Sequence, residues 1–134
     1  MMDVDFSGSA VVVTGGAGGI GRAIAKACAA AGARVAVLDV KHEETASLLE
    51  ELPGEGHLCV TGDAGVEEDV RFFAEKVLEH FGRVDVLVNN ACITRHGILS
   101  GCSYEDFNEV LREGVAAPYL LSLLFLSLIH ISEP

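Results

Sequence analysis

Thr14-Gly15-Gly16-Ala17-Gly18-Gly19-Ile20-Gly21 is the stretch whose reading decides the fold. It follows Ala10 to Val13, whose three consecutive valines suit a strand buried on both faces. It opens into Arg22-Ala23-Ile24-Ala25-Lys26-Ala27-Cys28-Ala29-Ala30-Ala31, an alanine-rich segment of high helix propensity. Ile20, Ile24, Cys28 and Ala31 fall on one helical face and are the expected core contacts. A strand, a glycine turn and a helix in this order aim unpaired N–H groups and a positive dipole end at one place, where an anion is welcome. Glycines suit that turn because a Cβ would block both its tight curvature and the approach of a pyrophosphate. Two registers fit: Gly16-x-Gly18-x-x-Gly21, and Gly15-x-x-x-Gly19-x-Gly21 with Thr14 directly ahead.

Outward from this turn, the pattern alternates. Arg34 to Asp39 reads as a second buried strand. Ala46, Leu49 and Leu52 line one face of a glutamate-rich helix that Pro53-Gly54 ends. His57 to Thr61 reads as a third strand, followed by Gly62-Asp63-Ala64. Val66, Val70, Phe73, Val77 and Phe81 mark the cleanest amphipathic helix, with Gly82 as its C-terminal stop. Val84 to Val88 is a fourth strand running into Asn89-Asn90-Ala91. Ser103-x-x-Asp106 has the form of a capping box and starts a helix carrying Phe107, Val110 and Leu111. Strands alternating with helices imply a parallel sheet with right-handed crossovers.

Composition narrows the function. The 134 residues suffice for one domain, half of them hydrophobic and only 6% aromatic. A net charge of −11 argues against nucleic acid and anionic membrane as partners. Cys28, Cys59, Cys92 and Cys102 have no metal-ligand spacing, and a reduced, cytoplasmic protein is expected. Acid in Met1-Met2-Asp3-Val4-Asp5, where an export signal would carry base, fits that. Val115 to Ile131 is free of charge but holds Pro118 and lacks basic flanks, so a buried helix is expected rather than a span. Tyr119 to Phe125 is apolar on nearly every side.

Thr-Gly-x-x-x-Gly-x-Gly, with Asn89-Asn90-Ala91 after the fourth strand, resembles the short-chain dehydrogenase/reductase family. The resemblance spans Phe6 to Leu124 and implies a Rossmann-type doubly wound α/β sheet, here incomplete, with about four strands in the order 3-2-1-4. It implies a nicotinamide dinucleotide held by Gly15, Ala17, Gly18, Gly19, Ile20 and Gly21. Asp39, the acid that closes the second strand, would accept from the ribose hydroxyls, favouring NAD over NADP, although Lys41 stands nearby. Asp63 and Ala64 would meet the adenine, and Asn89, Asn90 and Ala91 would lie along the adenosine ribose. Cys92 stands where the family signature has glycine.

The family's proton chemistry rests on a tyrosine with a lysine four residues later, helped by a serine and an asparagine. Asn108 follows Tyr104 at that spacing and Leu123 follows Tyr119, so neither tyrosine fits, and Gly114 occupies the asparagine's place four residues before Pro118. No catalytic residue is therefore assigned; Arg95 and His96 in the loop after Cys92 are candidates to face a substrate, although a solvated loop charge is the commoner fate. Residues 1–125 are expected to be the N-terminal, cofactor-binding part of a longer and homo-oligomeric oxidoreductase acting on an alcohol or ketone. Residues 126–134 depart from the family pattern, resemble translated read-through of a sequencing adapter, and are expected to be a foreign tail. A non-catalytic nucleotide-binding or interaction domain is the alternative, supported by Gly114. Thr14 and Asn89-Asn90-Ala91 count against a methyltransferase, which also uses a glycine-rich turn and an acid after its second strand.

Overall fold

In the computed structural model, which describes residues 3–93 and 99–129, the valine run becomes the centre of a parallel sheet. Strand β1 (Ala10–Thr14) is buried along its whole length and pairs with β2 (Arg34–Asp39) on one side and β4 (Val86–Val88) on the other. Strand β3 (Leu58–Thr61) pairs with β2, so the order is β3-β2-β1-β4. That is the expected order. Arg95, His96 and residues 130–134 lie outside the described residues.

Side-chain alternation along the central strands divides the core in two. Val11, Val13, Val35 and Val37 face helices α1 (Gly19–Ala30) and α2 (His42–Glu51). Val12, Ala36 and Leu38 face α3 (Glu67–Phe81) and α5 (Ala117–Ile129). Helices on both faces leave these central strands no polar side, which is why they carry unbroken apolar runs. Gly82 ends α3 in the left-handed conformation at φ 76°, as expected. Ser103 caps α4 (Tyr104–Leu111), its hydroxyl accepting the Asp106 N–H at 3.0 Å.

Two strands start later than expected because a side chain takes the first ladder position. The His57 Nδ1 accepts the Val35 N–H at 3.1 Å while its Nε2–H donates to the Pro53 carbonyl at 2.7 Å, so backbone pairing of β3 begins at Leu58. The Asp85 carboxylate accepts the Ala10 N–H at 2.8 Å, and β4 begins at Val86. Both arrangements satisfy a buried strand donor that would otherwise be costly.

Three apolar faces differ from expectation. Helix α1 buries Gly21, Ala25 and Ala29, whereas Ile20 is 75% exposed. Close approach of α1 to the sheet admits only the smallest residues, which displaces the larger apolar side chains to the flanks. Helix α2 buries Thr45 and Leu48 instead of Ala46 and Leu49, while Leu52, just past its end, is buried as expected. The Thr45 hydroxyl donates to the Lys41 carbonyl at 2.7 Å, which frees its methyl to pack. In α4 neither Phe107 nor Leu111 is buried.

Between α4 and α5 the backbone widens into a π-helical turn, Arg112–Ala116. Pro118 follows within the first turn of α5, and a proline has no N–H to donate and crowds the carbonyl four residues back. The wider turn accommodates both defects. Helix α5 then buries one face, Ala117, Leu121 and Phe125, against α3, while Tyr119 and Leu123 stay exposed. The all-round apolarity expected of this segment thus resolves into one packed face and one open face. Leu121→Ala should lower stability by about 2–5 kcal/mol, whereas Tyr119→Ala should stay within about 0.5 kcal/mol, both read by denaturant unfolding. Equal effects of the two substitutions would mean that α5 does not pack in this register.

Candidate functional site

The C-terminal ends of all four strands point to one edge of the sheet, where the following loops enclose a cleft of about 770 Å³. Open α/β sheets hold ligands at this edge, where the chain diverges to either side of the first strand. Gly15, Gly18, Gly19 and Ile20 form its floor, Asp39 stands on one side, and Asp63, Ala64, Asn90 and Ala91 close the other. Of the residues singled out in the sequence, Ala17, Gly21 and Asn89 do not line it: Ala17 and Gly21 are buried beneath the turn and Asn89 is exposed elsewhere.

The turn is built by exclusion. Gly15 (φ 64°) and Gly19 (φ 54°) take left-handed conformations that disfavour any side chain. A Cβ on Gly16 would lie 2.8 Å from the Val37 methyls, and one on Gly21 would overlap the Gly15 carbonyl and the Asn90 amide. Asn90 fills the space that Gly21 leaves, its Nδ2 donating to the Gly15 carbonyl at 3.0 Å. The Thr14 hydroxyl accepts two backbone donors, from Asn90 at 3.1 Å and from Ala91 at 3.0 Å. Thr14 and Asn90 together lock the β1 loop to the β4 loop.

Helix α1 differs electrically from its neighbours. Helices α2, α3 and α4 each carry two or three acids in their first turn, but α1 carries none and is capped by Gly18, which has no side chain. Its dipole and first-turn donors therefore remain directed at the cleft. At the end of β2 the Asp39 carboxylate accepts the Ala17 N–H at 3.0 Å through Oδ2 and the Lys41 N–H at 3.1 Å through Oδ1. One carboxylate thus fixes the turn on one side and the start of α2 on the other. Asp63 makes a turn after β3, its Oδ1 accepting the Gly65 N–H at 2.8 Å.

Lys41 and Cys92, both noted in the sequence, also line the cleft, and three further lining residues carried no signal there: Glu44, Glu109 and Glu113. Glu44, Glu109 and Glu113 come from helical segments whose inward-turning residues only the tertiary fold defines, and Glu113 is largely buried. Cys92 is exposed at the cleft. With Asp39 and Asp63, five carboxylates face one lysine among the described lining residues. Tyr104 and Tyr119, 83% and 68% exposed, line none of it.

Arg22 is a further residue that pattern reading overlooked. Its guanidinium donates to the Ala17 carbonyl at 2.7 Å, the Glu44 carbonyl at 3.3 Å and Glu51 at 2.6 Å, and so ties the glycine turn to α2. Its place directly after Gly21 was the available clue. Hydrogen bonds from Lys26 and Arg22 hold the Glu51 carboxyl at about 2, below its ordinary value of 4.5. Burial pushes the Cys59 thiol up to about 11, which favours the protonated form at neutral pH.

Comparison with known proteins identifies the class. The sequence model for short chain dehydrogenases matches residues 9–132, and the chain belongs to that family. It is 38% identical over 122 residues to an uncharacterized oxidoreductase of Thermotoga maritima, covering 89% of this chain and 47% of the relative. L-sorbose reductase from Gluconobacter frateurii, solved with NADPH and L-sorbose, superposes with a TM-score of 0.87 at 30% identity, over 97% of this chain and 51% of the other. The 3-ketoacyl-(acyl-carrier-protein) reductase of Brucella melitensis, solved with NADH, gives 0.82 at 31% identity, over 89% and 49%. The chain spans about half the length of the curated relatives it matches. Among the described residues no helix is long and apolar enough to cross a membrane.

Two outcomes test the site's construction. Gly21→Ala should destabilise the fold by about 3 kcal/mol or more in denaturant titration, since its Cβ meets the Gly15 backbone as well as the Asn90 amide and the backbone cannot swing aside. Glu51 adds stability in full above pH 4.5, and loses it as pH falls from there toward 2. Glu51→Gln should therefore flatten the acid limb of the stability profile over that window and leave the neutral-to-alkaline slope unchanged.

Proposed function

We propose that this chain is the cofactor-holding part of an NAD-dependent short-chain oxidoreductase, a cytoplasmic enzyme moving hydride between nicotinamide and an alcohol or ketone. The observation that carries this is Asp39: a carboxylate anchored by two backbone N–H groups, at the end of a cleft floored by a glycine-capped, acid-free helix N-terminus. A glycine cradle that Cβ atoms would fill suits a pyrophosphate, with the Gly18, Gly19 and Ile20 donors as its binding groups. Asp39 would take the ribose hydroxyls, Asp63 and Ala64 the adenine, and Asn90 and Ala91 the far side of that ribose; Ala17, Gly21 and Asn89 would act from behind the surface.

A 2′-phosphate would add about 1.5–2 negative charges beside Asp39, in a cleft already lined by five carboxylates. NAD is favoured on that ground. The nicotinamide supplies the hydride chemistry when bound; this chain's residues orient the nucleotide and exclude the doubly charged ribose phosphate. The open row Phe107, Leu111, Val115, Tyr119 and Leu123 supports a homo-oligomeric whole protein. Residues 126–134 are proposed as foreign to the enzyme.

A non-catalytic nucleotide-binding or interaction domain is the second reading, favoured by Gly114, which brings no side chain to the position four residues before Pro118. A Tyr-x-x-x-Lys in the gene beyond codon 125 would decide for the enzyme. For the chain itself, calorimetry should find NAD bound at least tenfold more tightly than NADP, with Asp39→Ala narrowing the ratio, and no alcohol oxidised. Equal affinities in the unmutated chain would refute the role of Asp39. Turnover abolished by Gly19→Asp would reveal an acid/base residue not identified among these side chains.

A further inference from the structure

Lys41 is the one cation among the described residues lining the cleft, two positions past Asp39. A lysine there could receive a 2′-phosphate and undo the selectivity that Asp39 provides. Its surroundings give it another engagement. The Lys41 Nζ lies 3.6 Å from the Glu44 Oε2, one helical turn further along α2.

Both residues are held by their backbones. The Lys41 N–H donates to Asp39, and the Lys41 carbonyl accepts the hydroxyl of buried Thr45 at 2.7 Å. The Glu44 carbonyl accepts Arg22, which also grips the Ala17 carbonyl of the glycine turn. The Glu44 carboxylate lies at the cleft near Gly18. We propose that Glu44 is a specificity-determining residue of this site, excluding a phosphorylated ribose by neutralising Lys41 and adding a second carboxylate to the cleft that Asp39 lines. This rests on the nucleotide-binding reading above, and extends it from one acid to an acid with a tethered ion pair.

The pair is exposed, so its effect belongs to selectivity and not to stability. Removing the Glu44 charge acts twice on a phosphate: one repulsion disappears and Lys41 becomes available. NAD, which has no charge at that position, should feel little of either change.

The test is calorimetric titration of the unmutated chain, Glu44→Gln, Lys41→Ala and the double variant with NAD and with NADP, at low and high salt. Glu44→Gln should tighten NADP about fivefold to tenfold at low salt and leave NAD within about twofold. The gain should shrink at high salt and fall by roughly half when Lys41→Ala is added, leaving the part due to the lost repulsion. An unchanged NADP affinity in Glu44→Gln, with Asp39→Ala still altering the ratio, would overturn this assignment and spare the reading beneath it. A gain undiminished by Lys41→Ala would also overturn it, since Lys41 would then play no part. Binding of neither nucleotide by the unmutated chain would refute the underlying reading, and this inference with it.

Discussion

The missing side chain at Gly21 is the constraint on which the rest of the structure depends. Helix α1 lies against the β1 loop so closely that a single carbon there would collide with the Gly15 carbonyl and with Asn90. That contact fixes the angle at which α1 leaves the sheet, and hence the place to which its dipole is aimed. It also leaves a slot of one amide's width, which Asn90 fills from the loop after β4. Thr14 completes the joint by accepting two N–H groups of the incoming β4 loop. The geometry of the cleft follows from atoms that are absent as much as from those present.

The sheet was the most legible part of the sequence. Three valines in a row, then Arg34 to Asp39, can hardly be anything but strands covered on both sides, and their order is the one the family resemblance implied. Helix faces were read less well, for a consistent reason. Ranking residues by hydrophobicity put Ile20 and Leu49 inward, but α1 packs through glycine and alanine, and α2 through a threonine whose hydroxyl is satisfied locally. In the cleft, Asp39 and the glycines were legible because they stand at strand ends. Glu44, Glu109 and Glu113 were not, since which side of a helix meets the cleft depends on packing with elements far away in the chain.

Electrostatics gives the cleft its character. Five carboxylates surround a helix end whose first turn contains no acid. An anion is attracted to one small region, the α1 N-terminus, and repelled almost everywhere else. Such contrast favours a ligand whose negative charge is concentrated at its middle and whose ends are uncharged or hydroxylated.

The pairing of β1 with both neighbours has a kinetic consequence. Val11 pairs with Val35, its near partner along the chain, and with Val86, a far more distant one. Closing the longer loop costs about 1 kcal/mol more chain entropy than closing the shorter one. The β1–β2 pair can therefore form as the chain emerges, with α1 already seated on it, while the β4 side of β1 waits open for half the molecule to be made. Thr14 and Asn90, which join that last seam, would then close the sheet last, and Asn90 is also part of the wall of the cleft.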